Sequence, residues 1–223
     1  MDEKIKLAMV DDHVLLRNAL ASLINSFTNC QVVCEANNGS DLIAKLSKLP
    51  STQLPEVVLL DLNMPLMDGY DTSIWLRDNF PEVHVLMLTM YDSELTLIRL
   101  LQAGVKGFLK KDIDPAELKF AINSVMQSGY YYSTQTAGRL ANLFRNNAKD
   151  NLRIKHAMLE DNEIGFLKLA CSDLTYKEIA QKMRLTPRSV DALRDQLFMK
   201  LDVKSTVGLA MVAIRNGVVS IAT

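Results

Sequence analysis

The strongest constraint on the fold is an alternation. Five short strand-like runs alternate with stretches of helical spacing. Ile5–Val10 stops at Asp11-Asp12, Gln31–Cys34 reads as a second strand, Val57–Leu60 stops at Asp61 and Val83–Leu88 at Thr89, and the fifth, Gly107–Lys110, ends in Lys110-Lys111. Residues 13–25, 39–48, 71–79, 93–103 and 115–128 between and after them read as helices, the first with Leu16, Leu20, Leu23 and Ile24 on one face. Pro115 takes a first-turn position. Strands apolar almost throughout are buried on both faces, so the pattern predicts a parallel sheet covered by helices on both sides.

In such a sheet the functional groups gather where strands end at their carboxyl edge. The residues that stop the runs are Asp11, Asp12, Asp61, Thr89 and the pair Lys110-Lys111. Right-handed crossovers bring these ends together, giving three carboxylates, a hydroxyl and an ammonium at one rim. Three carboxylates that close repel one another unless a hard cation is present. Mg²⁺ favours one or two carboxylates, waters and a phosphate oxygen. A carboxylate can attack phosphorus to form an aspartyl phosphate, with positioning and charge neutralisation left to the metal, the Lys and the Thr. The chemistry expected of the rim is phosphoryl acceptance. Singly, each residue has a plainer reading as a turn, a cap or a satisfied strand end; His13 reads as a helix start. Their joint order carries the argument.

Val10-Asp-Asp-His13, Leu59-Leu-Asp-Leu-Asn-Met-Pro-Leu-Met-Asp-Gly69, Leu88-Thr89 and Gly104-Val-Lys-Gly-Phe-Leu-Lys-Lys-Asp112 resemble the receiver domain of bacterial two-component response regulators over residues 1–128. The resemblance implies a flavodoxin-like (βα)5 fold and Asp61 as phosphoacceptor. It also implies Mg²⁺ held by the side chains of Asp12 and Asp61, the backbone carbonyl of Asn63, and Asp11 through water. The family's Gly-x-x-Gly-aromatic-x-x-Lys-Asp ending aligns Lys111, not Lys110, with the phosphate-binding lysine. Adjacent strand residues point to opposite faces, so only one of the two can face the rim. Phe108 falls on the aromatic that moves inward when the hydroxyl, here Thr89, engages phosphate.

Charge separates the rest of the chain from this front part. Residues 1–130 hold 11 Lys/Arg against 17 Asp/Glu, whereas residues 151–223 hold 11 against 8. An acidic front and a basic back predict two domains with different partners. A composition of 48% hydrophobic and 23% charged residues excludes a disordered chain. No apolar run reaches the roughly 18 residues of a membrane span. The start lacks a secretory pattern, and three cysteines without a Cys-x-x-Cys pair suggest neither disulfides nor zinc. A soluble, cytoplasmic protein without membrane partners is expected.

Behind Tyr130-Tyr-Tyr132, expected to pack between domains rather than to stack bases, 134–144 reads as a helix and 146–151 as a linker. Helices follow at 163–171, 176–183, 187–201 and 206–216. Thr175 with Glu178 reads as a capping box, and Thr186-Pro187 as an N-cap and first-turn proline. Two helices joined by a tight turn are the arrangement of a helix-turn-helix. Lys177-Glu-Ile-Ala180, Leu185-Thr-x-x-Ser-Val190, Lys200-Leu-x-Val203 and Asn216-Gly-Val-Val219 resemble the LuxR-type module. The whole chain thus resembles a NarL/FixJ-type regulator, with a receiver over 1–128, a linker with a short helix over 129–155, and an all-α helix-turn-helix domain over 156–223. It departs from the family at Asp173 and Arg184, where Gly is usual, and at Asp191 and Leu193, where Lys and His are usual.

The function so implied is a transcriptional regulator switched by phosphorylation of Asp61 by a sensor histidine kinase. It binds promoter DNA, as a homodimer once phosphorylated, through Lys177, Thr186, Arg188, Ser189, Arg194 and Lys200. Catalysis is expected only as self-phosphorylation from a donor and slow self-dephosphorylation. An acid at 191 opposes phosphate contact, and DNA affinity is dominated by cation–phosphate pairing. A phosphorylation-switched protein-binding adaptor is therefore the alternative, with Leu193 as a partner contact. An aspartyl phosphatase needs an acid/base carboxylate two residues past the nucleophile, where this chain has Asn63.

Overall fold

The computed structural model describes residues 4–89, 94–146, 159–215 and 218–219. Among the described residues, one compact unit comprises 4–89 and 100–138, and the other 94–99 and those from 139 on. The first is a five-stranded sheet of order β2-β1-β3-β4-β5, all neighbours parallel: β1 (Ile5–Val10), β2 (Cys30–Ala36), β3 (Val57–Asp61), β4 (His84–Thr89) and β5 (Gly107–Lys110). Helices α1 (Val14–Ser26), α2 (Gly39–Leu46), α3 (Gly69–Asn79), α4 (Glu94–Gln102) and α5 (Pro115–Ser128) follow the strands in turn. The expected helix start at Ser93 lies outside the described residues. β2 outruns its apolar core because pairing to β1 continues to Val10↔Ala36, past the exposed Glu35. Backbone hydrogen bonds, not side-chain polarity, set where that strand stops.

Every residue of β3 is buried, as are the last four of β1 and the last five of β4, as expected of a sheet covered on both faces. On one face Leu7, Met9, Leu59, Leu86, Leu88 and Leu109 meet Ile24 of α1 and Leu118, Ile122 and Val125 of α5. At roughly 25 cal/mol per Å² of apolar area, that core is the main stabilising contribution. The loops at the carboxyl edge are shaped by caps. Asn38 accepts the Asp41 N–H to start α2, Asp68 accepts the Asp71 N–H to start α3, and Asp114 accepts the Ala116 N–H beside Pro115 to start α5. The Asp68 cap explains why α3 begins at Gly69, ahead of its periodic residues.

Tyr131 differs from expectation. Its N–H donates to the Lys106 carbonyl at 2.8 Å and it pairs in parallel with Gly107, so it prolongs the sheet beyond β5. Its ring is buried in the core of the first unit, with the hydroxyl donating to Glu117 at 2.7 Å. Alternation turns its neighbours the other way: Tyr132 stacks on Phe108, with ring centroids 5.8 Å apart, and on the exposed Tyr130, at 5.7 Å.

Beyond α5 run α6 (Thr134–Asn146) and, in the second unit, α7 (Asp161–Ala170), α8 (Tyr176–Met183), α9 (Pro187–Lys200) and α10 (Thr206–Arg215). Residues 147–151 of the expected linker, and Asn216-Gly217 of the LuxR-type pattern, lie outside the described residues. Phe166, Leu167, Val190, Leu197, Leu209 and Ala213 are fully buried and form the core of α7 to α10. Among the described residues no helix is long and apolar enough to cross a membrane.

Candidate functional site

The carboxyl ends of β1, β3 and β5 converge as the strand order requires. Asp11 and Asp61 are buried, and Asp12 is a third exposed. Ligand atoms of Asp11, Asp12, His13 and Asp61 all lie within 4.8 Å of one another. Lys111 bridges two of the acids, with Nζ 3.0 Å from Asp11 Oδ2 and 2.9 Å from Asp61 Oδ2. Lys110 is exposed, as alternation at the end of β5 demands. Thr89 is buried at the last position of β4, paired in register with Lys110. Phe108 is buried under Tyr132. Asn63 sits half-buried in the β3–α3 loop.

Burial pushes the Asp61 carboxyl up to about 6, and the Asp11 charge adds to this, against the pull of Lys111 and the Leu62 N–H. Burial alone lowers the pKa of Lys111, but attraction to Asp61 and hydrogen bonds to Asp61 and Asp11 overcome it, and the net shift is upward. Near neutral pH the pair is therefore an ammonium facing a carboxylate that is ionised but close to its midpoint.

His13 and Arg17 belong to this site and were missed by sequence reasoning. His13 occupies the N-cap of α1 without capping it. Its N–H donates to Asp11 Oδ1 at 2.8 Å, and its Nδ1 lies 3.0 Å from both Asp11 Oδ1 and Asp12 Oδ1. Arg17, buried one turn further on, donates to the Asp11 carbonyl at 2.6 Å. The available signal was spacing: His13 and Arg17 are four apart and share a helix face directly behind the acidic pair.

In the second unit, Thr175 and Glu178 form the capping box of α8. Arg184 ends that helix with φ 55°, where the family favours Gly; the Leu185 N–H returns to the Ala180 carbonyl at 2.9 Å and the Arg184 N–H to Gln181. This is a Schellman closure made by a residue with a side chain, which costs about 1 kcal/mol relative to glycine. Thr186 then caps α9, accepting the Ser189 N–H at 3.1 Å. Of the six residues expected at DNA, Lys177, Thr186, Arg188 and Ser189 are exposed. Arg194 is held in place: it donates to Asp195 at 2.7 and 2.9 Å and to Asp191 at 3.1 Å, and it lies over the rings of Tyr176 and Phe198. Lys200 donates to the fully buried Glu163 at 2.6 Å. Leu193 is half-buried.

The model of the response regulator receiver domain matches residues 7–123, more than half of the chain. The chain belongs to the response regulators. The family model of bacterial regulatory proteins of the luxR family matches residues 157–213, which makes the chain a two-component response regulator with a receiver and a LuxR-type DNA-binding domain. It is 31% identical over 220 residues to the response regulator GacA of Pseudomonas aeruginosa, covering 98% of this chain and all of that one. It is 29% identical over 216 residues to the oxygen regulatory protein NreC of Staphylococcus aureus, covering 95% and 98%. Its fold is similar to that of RcsB from Salmonella enterica serovar Typhimurium, solved on promoter DNA (TM-score 0.69, 21% identity, 94% and 98% covered).

The rim of this regulator is compatible with Mg²⁺. Asp12 Oδ1 is buried with no hydrogen bond of its own, His13 Nδ1 lying 3.0 Å away, and the ligand atoms around it are mostly hard carboxylate oxygens. A buried carboxylate oxygen beside two more acids is what a small divalent cation would satisfy.

Proposed function

We propose that this regulator, in the cytoplasm, takes a phosphoryl group on Asp61 from a sensor histidine kinase and in that state binds promoter DNA as a homodimer. The receiver spans 1–128, a linker 129–155, and the DNA-binding domain 156–223. The observation that carries the reading is the buried Asp61 carboxylate with the Lys111 ammonium at 2.9 Å and two further acids alongside.

Asp12 and Asp61 by their side chains, Asn63 by its carbonyl and Asp11 through water would hold Mg²⁺. Bound there, the ion neutralises charge on the phosphoryl oxygens and on the acids. An Asp61 oxygen attacks phosphorus, the bond to the kinase's phosphohistidine nitrogen breaks, and the imidazole leaves with the electron pair. Lys111 exchanges its carboxylate partner for a phosphoryl oxygen, which removes an ammonium from between Asp11 and Asp61 without exposing it to water. The added charge, roughly −1.5 to −2, draws the Thr89 hydroxyl in. Phe108 follows into the space Thr89 leaves, and the face built by β5 and α5 changes. Small phosphodonors enter by the same route, and water reverses the reaction slowly.

At the output, Lys177 and Arg188 contact phosphates and Thr186 and Ser189 line the approach of α9 to the major groove. Arg194 and Lys200 serve the module itself, fixing α9 against α8 and α7. A homodimer matches a two-fold site. With two phosphate-pairing cations per protomer, log K against log salt falls with a slope of about −4.

The test is fluorescence anisotropy of a labelled promoter duplex, with and without acetyl phosphate and Mg²⁺, at two salt concentrations. A rise that needs phosphorylation, weakens with salt and is lost in Asp61→Asn is the expected result. Confirmed phosphorylation with no DNA binding in either state would overturn the DNA reading and leave a protein contact as the output.

A further inference from the structure

We infer that Arg17 is a positioning residue for the metal site, acting through the peptide that joins Asp11 to Asp12; this rests on the Mg²⁺ reading above. Consecutive residues of an extended strand send their side chains to opposite faces. Both acids reach one rim only because the backbone turns directly after β1. The plane of the peptide between them therefore decides where the Asp12 carboxylate stands relative to Asp61.

Arg17 holds that plane. One guanidinium nitrogen, Nη1, donates both of its hydrogens: to the Asp11 carbonyl at 2.6 Å and to Asn37 Oδ1 at 2.9 Å. Asn37 is itself fixed, its backbone N–H and its side-chain amide both donating to Asp41 Oδ2 at 2.9 and 3.0 Å. The Asp11 N–H is tied to the Ala36 carbonyl at 3.1 Å. The turn that carries both acids is thus braced from α1 on one side and from the β2–α2 loop on the other. Glu35, 3.5 Å from Arg17 Nε, offsets the buried charge.

A cation near three carboxylates has a second effect of opposite sign. By charge alone Arg17 repels Mg²⁺, and removing it would tighten binding. By geometry Arg17 favours Mg²⁺, because the ion demands near-octahedral oxygens at short range and tolerates little drift of Asp12. The two effects predict opposite changes in affinity, so one measurement separates them.

Isothermal titration of MgCl2 into the full chain, stripped of metal beforehand, is that measurement. Arg17→Met is expected to weaken Mg²⁺ binding about tenfold, as loss of a group that orients metal ligands does. Arg17→Lys, which keeps the charge and a donor, should recover part of the loss. Asn37→Ala, which leaves Arg17 in place and removes its brace, should weaken binding about threefold. This milder variant carries the test if Arg17→Met does not fold. In phosphorylation by acetyl phosphate, the Mg²⁺ concentration for half-maximal rate should rise by more than the saturating rate falls, a split that general loosening of the fold would not give. Unchanged or tighter Mg²⁺ binding in the folded variants overturns the inference and leaves the metal site standing. No Mg²⁺ binding by the unaltered chain overturns both.

Discussion

Replacing Asp61 by Asn is expected to stabilise the folded receiver at neutral pH while abolishing phosphorylation. Burial raises the Asp61 pKa from 3.8 to about 6, so ionising it disfavours the folded state. The sign follows from linkage. Because the folded pKa is the higher, the carboxyl's contribution to stability is complete below about pH 3.8 and is lost as pH rises through about 6. A separation of about 2.2 pH units at 1.36 kcal/mol each gives about 3 kcal/mol lost by pH 7.5. Asn cannot ionise, and its carbonyl still accepts a hydrogen bond from Lys111, so the variant avoids that loss. The assay is urea unfolding in a chelator between pH 4.5 and 8. It is followed by the fluorescence of Trp75, the chain's one tryptophan, which lies in α3 of the same unit and packs on Phe80. The difference in stability between the Asp61→Asn variant and the parent should be small at the acid end and grow by about 2 kcal/mol towards pH 7.5. A difference that does not change with pH would refute the reasoning, because it would place the Asp61 carboxyl in an environment no worse than water.

Two further expectations follow from contacts. A Cβ on Gly69 would clash with the Asp61 carbonyl oxygen and stand 2.8 Å from the Leu62 Cα, both backbone atoms. Gly69→Ala should therefore cost about 3 kcal/mol in Trp75-monitored unfolding and slow phosphorylation of Asp61; wild-type values in both would show that the loop has room to move. Lys200→Met leaves the buried Glu163 without its ammonium and should cost about 3 kcal/mol in thermal unfolding of the helical unit, whereas Arg188→Ala on the exposed face should stay within about 0.5. Equal effects of the two would show that the Lys200 pair is not a structural one.

Much of this was legible in the residues because it depends on local pattern. Asp11, Asp12, Asp61, Thr89 and Lys111 stop apolar runs, and the order of runs in a right-handed parallel sheet is enough to bring their ends together. The caps at Thr175 and Thr186 likewise belong to a few consecutive residues. His13 and Arg17 were not legible in the same way, since a helix start and a helix face are satisfied by either residue whatever lies behind them. The place of Tyr131 was not legible for a related reason: its pairing with Gly107 depends on where a distant strand edge is left open.

By itself the sequence determined a parallel sheet with an acidic rim followed by a small helical module, since periodicity and strand endings need no partner from elsewhere in the chain. Only the tertiary structure decided what each charge does. Lys200 and Glu163 are 37 residues apart, and Arg194 is shared between two rings and two acids, so both positive charges are already paired within the module. Arg17 reaches the Asp11 carbonyl and an amide twenty residues further on. An ion pair or a buried hydrogen bond is fixed by distance in space, which residue order does not contain, and its strength depends on the water that packing removes.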